Sequence, residues 1–211
     1  RWTSTPGESL TFSLGLMLQP PDWSGLSLAV GVSLAEYLTQ LLQAQPPQTA
    51  HPDSARPVLG LKWPNDLWCD TGTGPHKLGG ILVETATVPD ASTGLTGRYA
   101  VIGVGLNVRT PVGVDSTIPP LGLMALKAEV RAPALLRELM PGLLRTVLDF
   151  NREGFAPLMS RFARRDWLQG QAIHLSDGRE GWARGVDRQG QLLLDTDRGR
   201  ESINSNEISI R

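Results

Sequence analysis

Leu10, Phe12, Leu14, Leu16 and Leu18 recur at every second position, with Thr11 and Ser13 on the opposite side, and this alternation predicts a strand over 10–18 behind a Pro6-Gly7 turn. After the Pro20-Pro21 break the period changes. Leu26, Val30, Leu34, Leu38 and Leu41 form the stripe of a helix that runs to about Gln43, with Asp22 or Ser24 available as its cap. Gly31 interrupts that helix at a cost of about 0.5–1 kcal/mol relative to alanine unless close packing recovers it.

The stretch 43–57, QAQPPQTAHPDSARP, reads as an exposed connection. Three apolar runs follow, at 58–62, 78–84 and 99–108, and their spacing predicts a meander of neighbouring strands. The segments between them lack a helical pattern, which argues against a doubly wound parallel sheet. Helical periodicity resumes at 131–149 through Leu135, Leu139, Leu143 and Val147, with Pro141 expected to kink or divide it, and a shorter helix is expected over 151–165. From Gln171 the texture becomes short apolar runs joined by Ser-Asp-Gly, Asp-Arg-Gln-Gly and Asp-Arg-Gly, which predicts five strands curled into a small barrel. The pattern therefore divides the chain into a main domain, 1–168, and a small C-terminal one, 169–211.

Composition narrows the class without naming it. The 211 residues carry a net charge of −1, with 40% apolar and 19% charged residues, so the chain is globular and nothing in the balance asks for nucleic acid. No apolar run reaches the roughly 18 residues that cross a bilayer. Cys69 is the single cysteine and the three histidines are scattered, which fits a reducing cytoplasm and gives no zinc pattern.

The chemistry concentrates around LKWPNDLW at 61–68. Two of the chain's three lysines, Lys62 and Lys77, flank a turn in which Pro64 ends the strand and Asn65 and Asp66 bond to nearby backbone. Gly79 and Gly80 follow Lys77, and Gly103 and Gly105 clear one face of VIGVGLNV before Asn107. Glycine in a strand lets a ligand approach the backbone, and an ammonium beside it holds a negative group there. These residues form a candidate pocket for a phosphorylated ligand, with Asp66 as a magnesium contact. Walker A and G-x-S-x-G motifs are absent, and the G-x-G lacks the sequel of a dinucleotide fingerprint.

KWPNDL, then KLGGILVE, then VIGVGLNV resembles the motif set of the biotin protein ligases of bacterial type, in order and at family spacing. RWTSTPGESLTFSL resembles the stretch after that family's Gly- and Arg-rich loop, and 171–211 resembles its small C-terminal domain. The resemblance implies an α+β fold with a mixed central sheet and packed helices, followed by a small SH3-like barrel. It also implies a two-step reaction: biotin and ATP, with Mg2+, give biotinoyl-5'-AMP, and the acyl group passes to one lysine of a biotin carboxyl carrier domain.

Carried over residue by residue, Lys77 meets the biotin carboxylate and the adenylate, Asp66 and Asn107 lie on the metal and phosphate side, and Asn65 supports the turn. Lys62 is a phosphate contact or a supporting partner, and Trp2 lies near the adenine ring, where the plainer reading is an aromatic packed at a strand start. Gly79, Gly80, Gly103 and Gly105 line the biotin channel, while Ile81 and Leu82 are either channel wall or core. Cys69 is not expected to act as a nucleophile. The barrel grips ATP or the carrier, or buries the end of the main domain, with Trp182 and the Arg184-Gly185 pair as candidates for the interdomain face.

The family places a Gly/Arg-rich loop and a biotin-contacting Ser/Thr-Thr-Asn segment before the position of Trp2. The sequence is therefore expected to begin partway into the site. Rival readings are a lipoate or octanoate transferase of the same superfamily and a non-catalytic, biotin-responsive regulator. Some relatives carry a DNA-binding domain upstream, which nothing in this chain supports. Homodimerisation through a sheet edge is admitted, but no strand is singled out as that edge.

Overall fold

The structure is a computed structural model that describes residues 7–44, 57–89, 96–114, 116–204 and 208–210. Trp2 and most of the 43–57 connection lie outside the described residues. Five strands form the main sheet: β1 (Ser9–Leu18), β2 (Val58–Lys62), β3 (Asp66–Asp70), β4 (Pro75–Pro89) and β5 (Thr96–Asn107). Their order is β1-β5-β4-β3-β2, so the predicted meander is present with a further strand, β3, between the runs at 58–62 and 78–84, and β1 lies at one edge beside β5. Every ladder is antiparallel, and parallel pairing is confined to isolated bridges at Leu61–Asp166 and Lys77–Pro120.

One face of this sheet packs on α1 (Leu26–Gln43), against which α3 (Ala132–Glu153) lies, while α2 (Leu123–Leu126) and α4 (Met159–Ala163) are short. The glycine cost in α1 is offset as the pattern required. A Cβ on Gly31 would stand 2.9 Å from Leu61 Cδ2 and 3.4 Å from Ile81 Cδ1, so glycine lets the helix settle onto the sheet. On α4, the guanidinium of Arg161 bonds to Glu36 of α1 and holds that carboxyl below its usual range.

Several local expectations change. The cap of α1 is neither Asp22 nor Ser24 but Gly25, in the left-handed region at φ 80°, while Asp22 accepts from the Ser24 N–H at 2.8 Å. Helix α3 continues through Pro141 to Glu153 instead of dividing, because its buried stripe of Leu139, Leu143 and Val147 runs past the proline. The expected helix at 151–165 shrinks to a 3-10 turn at Ala156–Leu158 followed by α4. Strand β3 was hidden because its apolar run, Leu67-Trp68-Cys69, is three residues long between aspartates.

The C-terminal part is a second antiparallel sheet, β6 (Ala172–Leu175), β7 (Glu180–Val186), β8 (Leu192–Thr196), β9 (Gly199–Ile203) and β10 (Ile208–Ile210), in the order β10-β6-β7-β8-β9. The five predicted strands are all present, and the curled sheet is SH3-like.

Of the residues expected where this part meets the main domain, Gly185 is there, while Trp182 and Arg184 are not. Trp182 is 53% exposed and Arg184 bonds to Asp195 within the barrel. A Cβ on Gly190, in contrast, would lie 2.7 Å from Gly25 Cα, so the 187–190 turn docks on the start of α1. Gly185 also faces the junction, beside Gln169 and Asp166.

Asp166 at this junction has an unusual environment. Its Oδ1 accepts from the Leu168 N–H at 2.9 Å, but Oδ2 is buried without a hydrogen-bond partner. Burial pushes its pKa from the ordinary 3.8 up to about 6, and the backbone N–H groups that follow, Leu168 first, only partly offset this. The folded chain thus favours the neutral acid. The stability that the group supplies is full below about pH 4 and is lost as pH rises through about 6. Asp166→Asn keeps the Oδ1 acceptor and removes the buried charge. It should stabilise the chain by about 2–3 kcal/mol at pH 8, and by less at pH 5. Thermal melts at the two pH values check this, and an equal effect at both would contradict the assignment.

Candidate functional site

The face of the main sheet turned away from α1 carries the site. Side chains alternate along a strand, so Leu61 and Ile81, which touch α1, place Gly80 and Leu82 on the other side. Register extends this face across the sheet. Gly80 pairs with Gly105 and Gly105 with Thr11, while Leu82 pairs with Gly103 and Gly103 with Ser13. Gly80, Gly103 and Gly105 therefore form a glycine track on this face, half-buried at Gly80 and Gly103 and buried at Gly105, bordered by the exposed Thr11, Ser13 and Leu82. Further along, Tyr99 lies across Gly15, where a Cβ would collide with its phenol.

At the head of the track, Lys77 Nζ and Asp66 Oδ1 form an ion pair at 2.7 Å, with side chains 37% and 17% exposed. The turn between β2 and β3 fixes Asp66. Its Trp63-Pro64 bond is cis, and Ser27 Oγ at the start of α1 donates to the Pro64 carbonyl at 3.0 Å. Asn65 clasps β4 twice: its Nδ2 donates to the Ile81 carbonyl at 2.8 Å, and the Ile81 N–H donates to its own carbonyl at 3.0 Å.

Lys77 is fixed through its backbone. Its N–H donates to Pro119 O at 3.0 Å, and its carbonyl accepts from the Leu121 N–H at 2.9 Å and from Asn107 Nδ2 at 3.2 Å. The ammonium is thus the part of Lys77 left to meet a ligand, and Asn107, buried at the end of β5, orients it. The loop at 119–121 that pins Lys77 carried no sequence signal, because only its carbonyl and N–H groups take part.

The two neighbouring glycines serve different ends. A Cβ on Gly79 would stand 2.4 Å from the Gly105 carbonyl oxygen, so glycine there is required by β4–β5 packing, and Gly79 is corrected from a ligand-lining residue to a structural one. Among the described residues nothing demands glycine at 80 or 103. The added carbon would lie 3.5 Å from Asp66 Oδ1 at Gly80, and 3.5 Å from Leu82 O at Gly103, both ordinary contacts.

Of the two readings left open for Ile81, channel wall or core, the structure takes the second. The Ile81 side chain is 3% exposed beneath the sheet against Gly31, and only its backbone serves the site, whereas Leu82 is 60% exposed on the track face. The structure does not bring Lys62 to the Lys77–Asp66 pair. Its ammonium donates to the Ile208 carbonyl at 2.8 Å and stands 5.5 Å from the Trp68 ring centroid. Cys69 is fully buried, and burial first, then Asp70, pushes its thiol up to about 11, which removes it as a nucleophile.

A positive group at the head of a bare-backbone track with hydroxyls along its border can hold an elongated ligand by its anionic end. No cluster of three or more His, Cys, Asp or Glu occurs among the described residues. Asp66 alone suits a cation that arrives with phosphate oxygens.

The family described as biotin protein ligase C terminal domain matches residues 170–211. The bifunctional ligase/repressor BirA of Escherichia coli (strain K12) is 33% identical over 225 residues, covering all of this chain and 61% of that protein. The biotin-[acetyl-CoA-carboxylase] ligase of Mycobacterium tuberculosis is 30% identical over 205 residues, covering 92% of this chain and 66% of that one. This chain therefore spans somewhat under two thirds of these relatives.

Among solved structures, the biotin protein ligase from Aquifex aeolicus shares the fold at TM-score 0.70 and 20% identity, over 97% of this chain and 83% of that one. The same enzyme in complex with biotin and ATP matches at 0.68 and 20%, over 96% and 78%. Identity that runs the length of the chain, with a tail matching the family's own C-terminal domain, makes this chain a member of the biotin protein ligase family.

Proposed function

We propose that the chain carries the catalytic core of a biotin protein ligase, within a protein that activates biotin with ATP and transfers it to a lysine of a biotin carboxyl carrier domain. The observation that carries this reading is the Lys77–Asp66 pair at the head of a track where, at Gly80 and Gly103, a Cβ would make only ordinary contacts with the described residues. In the first step a biotin carboxylate oxygen attacks the α-phosphorus of ATP; a C–O–P anhydride forms and the bond to pyrophosphate breaks. Lys77 offsets the negative charge where the two anions meet, without being acylated. In the second, the carrier amine attacks the acyl carbon, loses its proton and expels AMP.

Biotin lies along Gly80, Gly103 and Gly105, with Leu82 against its rings and its carboxylate toward Lys77. Magnesium bound to the phosphates, with Asp66 as its protein contact, would neutralise their charge. Asn107 and Asn65 hold Lys77 and Asp66 in place. The catalytic domain is taken as 1–168 and the barrel as 169–211, a division supported by the second sheet and the match at 170–211. No helix among the described residues is long and apolar enough to cross a membrane, and a buried, unpaired Cys69 suits the cytoplasm.

The test incubates the full-length polypeptide containing this chain with biotin, ATP, magnesium and an apo carrier domain, followed by mass spectrometry. One biotin-sized increment on one carrier lysine is the expected result. Absence of both adenylate and transfer would sink the reading, and transfer of lipoate in preference to biotin would move it to the sister branch.

A further inference from the structure

Four consecutive residues of the β2–β3 hairpin are bound to the C-terminal segment. Gly60 lies under Trp167, whose Cε3 stands 2.4 Å from where a Cβ would be. The Leu61 N–H donates to Arg165 O at 2.7 Å, and its carbonyl accepts from the Trp167 N–H at 2.9 Å. Lys62 Nζ donates to Ile208 O at 2.8 Å, and the indole N–H of the buried Trp63 donates to Gly190 O at 3.0 Å. Trp68, on the return strand, meets Trp167 edge-on at 5.7 Å. The next three residues belong to the site: Pro64 is held by Ser27, Asn65 clasps Ile81, and Asp66 pairs with Lys77. One short hairpin thus joins the barrel to the reacting pair, and the register puts Lys62 directly opposite Asp66.

From this we infer that Lys62 is a positioning residue: by tethering the hairpin to the last strand of the barrel it sets Asp66 against Lys77, and it does not touch the phosphates. The inference rests on the proposed reading of the site and gives the barrel a defined part in it. Ile208 and Gly190 contribute backbone carbonyls, so the course of the barrel's backbone takes part in the holding. A hairpin freed at Lys62 lets the carboxylate wander, and a misplacement of about 1 Å is enough to cost up to a hundredfold in rate.

Lys62→Met keeps the apolar stem over Trp68 and removes the donor. In the full-length protein it should lower kcat for pyrophosphate release by about tenfold or more, with KM for ATP and for biotin changed by less than about twofold. Lys62→Arg, whose guanidinium can donate to the same carbonyl, should recover most of the loss. The amide of Ile81, bonded to Asn65, should exchange hydrogen about tenfold faster in Lys62→Met, and this readout needs no turnover.

A rise in KM for ATP at unchanged kcat would make Lys62 a phosphate contact and overturn the inference, as would kinetics and exchange both equal to wild type. Should wild type form no adenylate, the proposed function fails, while the exchange comparison still decides the tether: unchanged protection at Ile81 overturns it.

Discussion

Alanine at position 77 is expected to lower the rate of adenylate formation by about 10²–10³-fold while leaving the fold intact, because removing one donor from a site of developing negative charge costs about 2.7–4 kcal/mol. The fold survives because the groups that hold Lys77 are backbone ones, bonded to Pro119, Leu121 and Asn107, and its side chain is 37% exposed. The effect should fall on kcat and on biotin affinity, since the ammonium meets both the carboxylate and the α-phosphate. Asp66→Asn added to Lys77→Ala should cost far less than it does alone, because the two groups act as one pair at 2.7 Å. Pyrophosphate release with full-length protein measures all three variants. A Lys77→Ala rate equal to wild type would remove Lys77 from the chemistry.

How much of this was legible depended on whether a residue's role is set by near or distant neighbours. The alternation of β1, the stripe of α1 and the five strands of the barrel were legible because each is a local period, and the structure keeps them. Gly31 was legible as a glycine that close packing must justify, though not what it packs against. Gly79 and Gly80 look alike in sequence. Ordinary alternation along β4 puts them on opposite faces, and only the placement of α1 and of the Gly105 carbonyl says which one is pressed into packing and which lies on the open face.

Ile81 and Leu82 posed the same problem, since both are apolar and only the position of α1 says which is core. The two lysines were separable only through tertiary contact. Both flank one turn, but Lys62 is claimed by Ile208, 146 residues away, a distance over which no periodicity speaks. The carbonyl of residue 119 that fixes Lys77 could not be read at all, because a backbone acceptor has no sequence signature.

Valine at Gly103 is expected to weaken biotin binding by more than about a hundredfold without unfolding the chain, and alanine at Gly79 to do the reverse. At Gly103 the first added carbon meets Leu82 O at 3.5 Å and Ser13 Oγ at 4.0 Å, ordinary contacts, so the fold accepts it, and a β-branched residue suits a strand. What it takes away is room on the track, where a ligand laid against bare backbone has no way to move aside. Gly103→Ala should give a smaller loss, so the effect grades with added volume.

At Gly79 the carbon lands 2.4 Å from the Gly105 carbonyl and 2.8 Å from Leu106 Cδ2. The strands must part, at a cost of about 1–3 kcal/mol or more. Any loss of biotin affinity there should scale with lost stability and not exceed it. Calorimetric titration with biotin beside thermal melts separates the two cases. Wild-type affinity in a folded Gly103→Val protein would show that the glycine track is not the biotin floor, and the Lys77–Asp66 pair would then need a different ligand.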